Sequence, residues 1–398
     1  MTPPMAEPAL RPEEYRSRFP ILAHTIHLGN CSQGPLSLDV REALERYQQS
    51  LLSEGMAWET WVGEVQEARG EFARLIGAAP DDVAVLSCVS DAISTIASCL
   101  PFRGRRHVVT TVDEFPTVGQ GWLAGARGDR GEVSFARSAD GFYPPALIEP
   151  YLRSDTALLS VHLVSYYTAA RQDARALAQL AHDHGALLLV DAYQALGTLA
   201  FDVRESDVDI LVCGNLKYLL GLPGIAFMYV RPELSAELQP AATGWFGRVN
   251  PFHFDATHLD FAPGGRRFDM GTPPIIAAYA ARAGMRLVRE AGVPTIERHV
   301  QTLSRQVMAG AIERDLEIAG PLDVTRKGAA TALRVGVASA WLEQWLRARG
   351  VIVSARADVL RIAPHLFTTR EDITTALDRL VEARDALARE GDPAQPAR

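Results

Sequence analysis

The sequence predicts an α/β fold, with a largely parallel sheet in a large domain followed by a smaller α+β domain. Three observations lead there. Short β-rich runs recur between residues 82 and 231, mostly separated by segments of helix length. These runs are apolar throughout rather than at alternate positions, as strands are when both faces of a sheet are covered. The chain of 398 residues also exceeds the roughly 250–300 at which a single core stops growing, so two domains are expected.

Taken in order, residues 1–20 carry several prolines and many charges and read as an exposed N-terminal arm. "LDVREALERYQQSLL" (38–52) and "VGEVQEARGEFARLIG" (62–77) space apolar residues at three and four, as amphipathic helices do. The strand candidates are "DVAVLS" (82–87), "HVVTT" (107–111), "ALLSVHLV" (157–164), "ALLLVD" (186–191), "DILVCG" (209–214) and "IAFMYVR" (225–231). Residues 273–315 read as helical. Beyond them, the strands "ATALRVGV" and "VLRIAP" flank the helix "SAWLEQWLRARG", and "TREDITTALDRLVEARDALARE" is a last helix. The expected division is a large domain over 21–285 and a small one over 286–398, to which the N-terminal segment contributes.

Composition narrows the function. A hydrophobic content of 47% and a charged content of 22% are those of an ordinary soluble globular protein. The net charge of −8 comes without a basic block, which argues against a nucleic-acid partner and for a small-molecule substrate. The four cysteines, Cys31, Cys88, Cys99 and Cys213, have no C-x-x-C spacing. No apolar run approaches the roughly 20 residues that cross a bilayer, and the first residues lack the apolar core of a signal peptide. A cytoplasmic protein with reduced thiols, without a membrane partner, is expected.

Asp191 ends the strand candidate "ALLLV", where ligands of an open parallel sheet bind. Lys217 follows among apolar and glycine neighbours, where lost hydration lowers an amine's pKa and makes it nucleophilic. Alone, one is an ordinary loop acid and the other a surface lysine. Together they fit pyridoxal phosphate, which needs a lysine for its Schiff base and an acid to keep its pyridine nitrogen protonated. "LSCVSDAISTIA" (86–97) reads as strand, turn and helix, so the Val89 backbone N–H and the Ser90 hydroxyl would cradle the phosphate, although a plain N-cap serine has the same geometry. The G-x-G-x-x-G and G-x-S-x-G patterns are absent. His182 and His184, at i and i+2, face different ways on a helix and are expected to be solvated, with no metal site.

Over nearly its whole length the chain resembles the class V aminotransferase group of fold-type I pyridoxal phosphate enzymes, whose large domain is built on a seven-stranded sheet. "ATGWFG" (242–247) and "RRFDMGTPP" (266–274) resemble kynureninase segments, "DAYQALG" (191–197) is more similar to cysteine desulfurases, and "LGNCSQGPLS" (28–37) resembles a loop shared by kynureninases and epimerases of the isopenicillin N type. The resemblance implies that Lys217 carries the cofactor, Asp191 pairs with its ring nitrogen and Gln194 with its phenolate oxygen. Phe115 in "DEFPT" (113–117) would stack on the ring, Tyr166 in "LVSYYTAAR" (163–171) would touch it, and Asn215 and Trp245 would lie near it. Thr272 would reach the phosphate of a neighbouring subunit, which implies a homodimer. Asn30, Cys31 and Ser32 would line the substrate pocket, and Arg361 in "VLRIAPHLF" (359–367) would bind an α-carboxylate through its planar fork.

The implied activity is that of a lyase cleaving a carbon–carbon or carbon–sulfur bond at the β-position of a free amino acid. Transamination or epimerisation is the alternative within the same chemistry, and a non-catalytic protein that has kept the fold is the alternative outside it. The last cysteine is Cys213, so the C-terminal loop cysteine of cysteine desulfurases has no counterpart, and Leu216 stands where kynureninases place a tyrosine.

Overall fold

The computed structural model of the chain describes residues 10–390. Its large sheet has seven strands: β1 (Val83–Leu86), β2 (His107–Thr111), β3 (Glu132–Ala136), β4 (Thr156–His162), β5 (Leu187–Asp191), β6 (Ile210–Gly214) and β7 (Ala226–Val230). The spatial order is β1-β7-β6-β5-β4-β2-β3, parallel throughout except that β7 runs antiparallel to β1 and β6. The connection from β6 to β7 is too short for the helical crossover that a parallel pair needs. The expected α/β fold with a largely parallel sheet is the one observed.

Both faces of the sheet are covered, which is why its inner strands are apolar throughout. Leu159, Val161, Leu188, Val190, Leu211 and Phe227 pack on one side. Leu158, Leu189, Ile210, Val212 and Met228 pack on the other. The first side meets α1 (Leu38–Ser53), α2 (Trp58–Leu75) and α5 (Ala174–Asp183). The second meets α3 (Val89–Ser98) and α4 (Pro116–Gly125). Ser37 caps α1 by accepting the Val40 N–H at 3.1 Å. The helix expected from residue 62 begins earlier, at Trp58, whose ring packs on Trp61 with centroids 5.7 Å apart. The helical run expected over 273–315 is two helices, α6 (Ile275–Ala291) and α7 (Val293–Glu313), broken where Gly292 adopts φ 79°.

A second, antiparallel sheet has the order β10-β11-β9-β8, formed by β8 (Glu317–Ile318), β9 (Thr331–Arg334), β10 (Ser354–Arg356) and β11 (Val359–Ile362). With α8 (Ser339–Arg347) and α9 (Arg370–Glu390) it encloses a core of its own that includes Leu333, Leu342, Leu360, Ile373 and Leu377, and takes in Leu28 from far upstream. Ile26–His27 pairs in parallel with Val351–Ile352, so the early loop is stitched to this part of the chain.

Two expectations are corrected. Of the exposed arm expected over 1–20, residues 10–20 are docked: Arg16 ion-pairs with Asp372 at 2.6 Å, and the buried Phe19 ring lies 4.7 Å from that of Phe367. Residues 1–9 lie outside the described ones. His182 is not simply solvated, since its Nε2 meets Asp209 at 2.8 Å, and His184 Nδ1 meets the Leu180 carbonyl at 3.0 Å. Among the described residues no helix is long and apolar enough to cross a membrane.

Candidate active site

A cavity of about 380 Å³ opens beyond the carboxyl ends of β4, β5 and β6, the place at which ligands of open parallel sheets bind. Asp191, the last residue of β5, forms its floor. One carboxylate oxygen accepts the Tyr193 N–H at 2.8 Å, and the other has no hydrogen-bond partner among the described residues. Burial raises the Asp191 carboxyl to about 6, with the Tyr193 N–H acting in the opposite sense.

Lys217 follows β6 in a tight turn closed by Gly221 N–H to Asn215 O at 3.0 Å and Leu220 N–H to Lys217 O at 3.1 Å. Leu220 takes φ 57°, a strained value for a leucine. The ammonium sits 4.0 Å from the centre of the Tyr193 ring and 5.7 Å from that of Phe115. Burial pulls it down to about 8, with Asp191 acting in the opposite sense. At pH 7 roughly a tenth of this amine is therefore unprotonated, far more than of an ordinary lysine.

The third wall comes from the second sheet. Arg361 on β11 is 1% exposed and donates to Tyr166 O at 2.7 Å, Ser32 Oγ at 3.1 Å and Ser354 Oγ at 2.6 Å. Its Nε is buried without a partner, and no carboxylate lies within ion-pair distance among the described residues. A buried guanidinium without a counter-charge is costly unless an anion completes it. Opposite, α3 points its N-terminus at the cavity with no side chain capping it. Ser90 and Thr117 join their hydroxyls beside these free N–H groups.

The structure thus brings Lys217, Asp191, Val89, Ser90 and Arg361 to one cavity, with Phe115, Tyr166, Gln194, Cys31 and Ser32 around them. Gln194 donates to the Cys31 carbonyl at 2.9 Å, which ties the early loop to the β5 end. Four of the expected residues do not line it. Asn30 is turned away to the Ala363 carbonyl at 2.7 Å. Asn215 is buried with both amide atoms unpartnered. Trp245 joins a cluster of rings with Trp58, Phe246, Phe252 and Phe254, and Thr272 is exposed on the surface. Residues that sequence reasoning missed are Tyr193, Thr117 and His162. Of these, His162 lay inside the strand candidate 157–164, and only the observed strand end, at His162, sets it level with Asp191.

The sequence profile of the family described as "Aminotransferase class-V" matches residues 42–370. The chain belongs to the class V aminotransferase family. Members of this family are enzymes that depend on pyridoxal phosphate, and this one is related to cysteine desulfurases and kynureninases. It is 40% identical over 369 residues (93% of this chain, 97% of the other) to a Bacillus subtilis (strain 168) protein named "Uncharacterized aminotransferase YcbU". It is 27% identical over 342 residues (83% and 81%) to the kynureninase of Deinococcus radiodurans. In fold it is similar to the cysteine desulfurase of Thermococcus onnurineus NA1, with a TM-score of 0.85, 21% identity and coverage of 96% and 100%. It is also similar to the cystine C-S lyase C-DES, solved with its product cysteine persulfide, with a TM-score of 0.82, 19% identity and coverage of 92% and 99%.

Proposed function

We propose that this class V enzyme binds pyridoxal phosphate at Lys217 and cleaves a β-substituent from a free amino acid. The observation that carries the reading is the convergence of a lowered amine, a raised carboxyl, an uncapped helix N-terminus and an uncompensated buried guanidinium on one cavity. Each meets one part of the cofactor–substrate pair. The donor set therefore fits the group: the free N–H groups of α3 with Ser90 and Thr117 suit the phosphate, and the untied Asp191 oxygen suits a protonated ring nitrogen.

Pyridoxal phosphate, when bound, supplies an aldehyde for amine capture and a ring that takes up the electron pair released at the substrate's α-carbon. Arg361, held from below by Ser32, Ser354 and Tyr166, binds and orients the α-carboxylate. The Lys217 amine would take the α-proton, a task suited to an amine that titrates near 8. Asp191 holds a proton on the ring nitrogen. Phe115, which lines the cavity, would shield the bound group from water. Thr272, exposed on this chain, serves a second copy in a homodimer.

Cleavage at the β-position is favoured by kinship to kynureninases and cysteine desulfurases. With no cysteine after Cys213, sulfur released from such a substrate leaves without a persulfide on a C-terminal loop. Transamination is a second reading, favoured by the name of the Bacillus subtilis relative. The two part on one experiment: the reconstituted protein is given a panel of amino acids bearing β-substituents while products and the cofactor spectrum are followed. The lyase reading expects many turnovers with the spectrum restored and no keto-acid co-substrate. Conversion of the cofactor to its amine form, halting until a keto acid is added, would establish transamination instead.

A further inference from the structure

We infer that Glu114, His162 and Gln172 form a positioning unit beside Asp191, in which Gln172 keeps the His162 ring neutral so that the uncompensated charge of Glu114 strengthens proton binding at Asp191 and at the cofactor nitrogen it faces. The part concerning the cofactor rests on the proposed function above.

His162 ends β4 as the register partner of Asp191, so the two side chains share one face of the sheet. Its Nδ1 lies 2.8 Å from Glu114 Oε1, which also accepts the His162 N–H at 2.9 Å and the Thr111 hydroxyl at 2.9 Å. An oxygen that takes three donors belongs to a carboxylate. Glu114 Oε2 is buried without a partner, and His162 is its single ion-pair neighbour among the described residues. Among the described residues no lysine or arginine lies within ion-pair distance of this carboxylate.

On its other side, His162 Nε2 lies 3.1 Å from Gln172 Nε2. Two backbone groups fix which amide atom faces the ring. The Tyr143 N–H donates to Gln172 Oε1 at 2.9 Å, and Gln172 Nε2 donates to Gly141 O at 2.9 Å. Turning the amide would set donor against donor at Tyr143 and acceptor against acceptor at Gly141. The second N–H of the amide therefore points at His162 Nε2, which must offer a lone pair. Burial favours the neutral ring, while the charges of Glu114, Asp191 and Asp113 pull its proton affinity above the ordinary value. The amide opposes that pull, because a second ring proton would point straight at an N–H. One proton remains, on Nδ1 and shared with Glu114.

Both ring nitrogens are thus occupied, and neither donates to Asp191. What reaches Asp191 from this side is charge. Burial raises its carboxyl and Glu114 adds to the rise, against the Tyr193 N–H and Lys217; a neutral His162 ring brings no charge to oppose it. Tyr193 and Cys213, which also border it, are both pushed up by burial and hold their protons. A fixed negative charge raises the proton affinity of any base nearby. Ring-nitrogen protonation therefore persists to higher pH with Glu114 than without it.

The test has two arms. In the cofactor-free protein labelled with ¹⁵N-histidine, with His162 assigned by difference from His162→Gln, one protonated and one unprotonated ring nitrogen are expected across neutral pH. Gln172→Glu should convert the ring to the doubly protonated form. In the protein reconstituted with pyridoxal phosphate labelled at the ring nitrogen, Glu114→Gln should lower the midpoint of ring-nitrogen deprotonation by about one pH unit. A doubly protonated His162 in the unaltered protein, or an unmoved midpoint in folded Glu114→Gln, would overturn the inference. Should Glu114→Gln fail to fold, the first arm still tests the neutral ring on which the inference depends, and a doubly protonated His162 would still overturn it. Failure of Lys217 to hold the cofactor would sink the proposed function and the cofactor part of this inference, while the first arm, which needs no cofactor, still tests the neutral His162 ring.

Discussion

Lys217 and Lys327 are both drawn out of water, and burial pulls both amines down, to about 8 and about 7. Their surroundings differ. Lys217 opens onto a cavity shared with Asp191, Arg361 and an uncapped helix end. Lys327 is 4% exposed, donates to Thr331 Oγ1 at 2.9 Å and lies against the loop at Ala170. It does not line that cavity. Desolvation lowers an amine's pKa wherever it occurs. It yields a reagent only where space, an acid and an anion-binding group are held beside it.

The largest effect should separate the two at once. Lys217→Ala is expected to cut turnover by at least about 10³-fold, while Lys327→Met keeps it within a few-fold. Steady-state kinetics on both variants check this, and an inactive but folded Lys327→Met would break the contrast. Next, Arg361→Ala should raise KM for the amino acid by about 10–100-fold, the worth of one or two charge-assisted hydrogen bonds. Cofactor content should stay unchanged, and equal cofactor loss would show that the arginine serves the fold instead.

The buried amines also carry a pH signature. Lys327 titrates near 7 when folded and near 10.4 when unfolded. Between these values the unfolded chain holds a proton that the folded one lacks, so stability rises with pH there, by at most about 1.4 kcal/mol per unit. Below pH 7 both states are protonated and this slope vanishes. Lys327→Met should flatten the rise in denaturant titrations of the cofactor-free protein between pH 7 and 9, and an unchanged slope would mean that Lys327 keeps its proton inside. The smallest effect is expected at the phosphate end. Ser90→Ala removes one hydroxyl, worth about 0.5–1.5 kcal/mol, so cofactor affinity measured by absorbance titration should fall by no more than about tenfold.

Much of this was legible in the sequence, for reasons that also explain the rest. Strands β4 to β7 are apolar on both faces and could be read directly. Strand β3 could not, because it lies at the sheet edge, where Glu132 is exposed and Val133, Ser134 and Phe135 are only partly covered. Asp191 and Lys217 were legible because residue type and strand end coincide. The His162–Gln172 contact was hidden, since it forms only when the intervening loop folds back, with the Gln172 N–H on Leu163 O at 2.9 Å. Asn30 and Asn215 stand in the right segments, but their amides turn into the protein instead of the cavity. Spacing locates a residue along the chain, and only packing directs its side chain.

One measurement addresses the contrast between the two lysines most directly. The protein is reconstituted with pyridoxal phosphate, reduced with borohydride, digested and mapped by mass spectrometry. One cofactor-sized addition per chain is expected, on Lys217. An addition on Lys327, or none on either lysine, would contradict it.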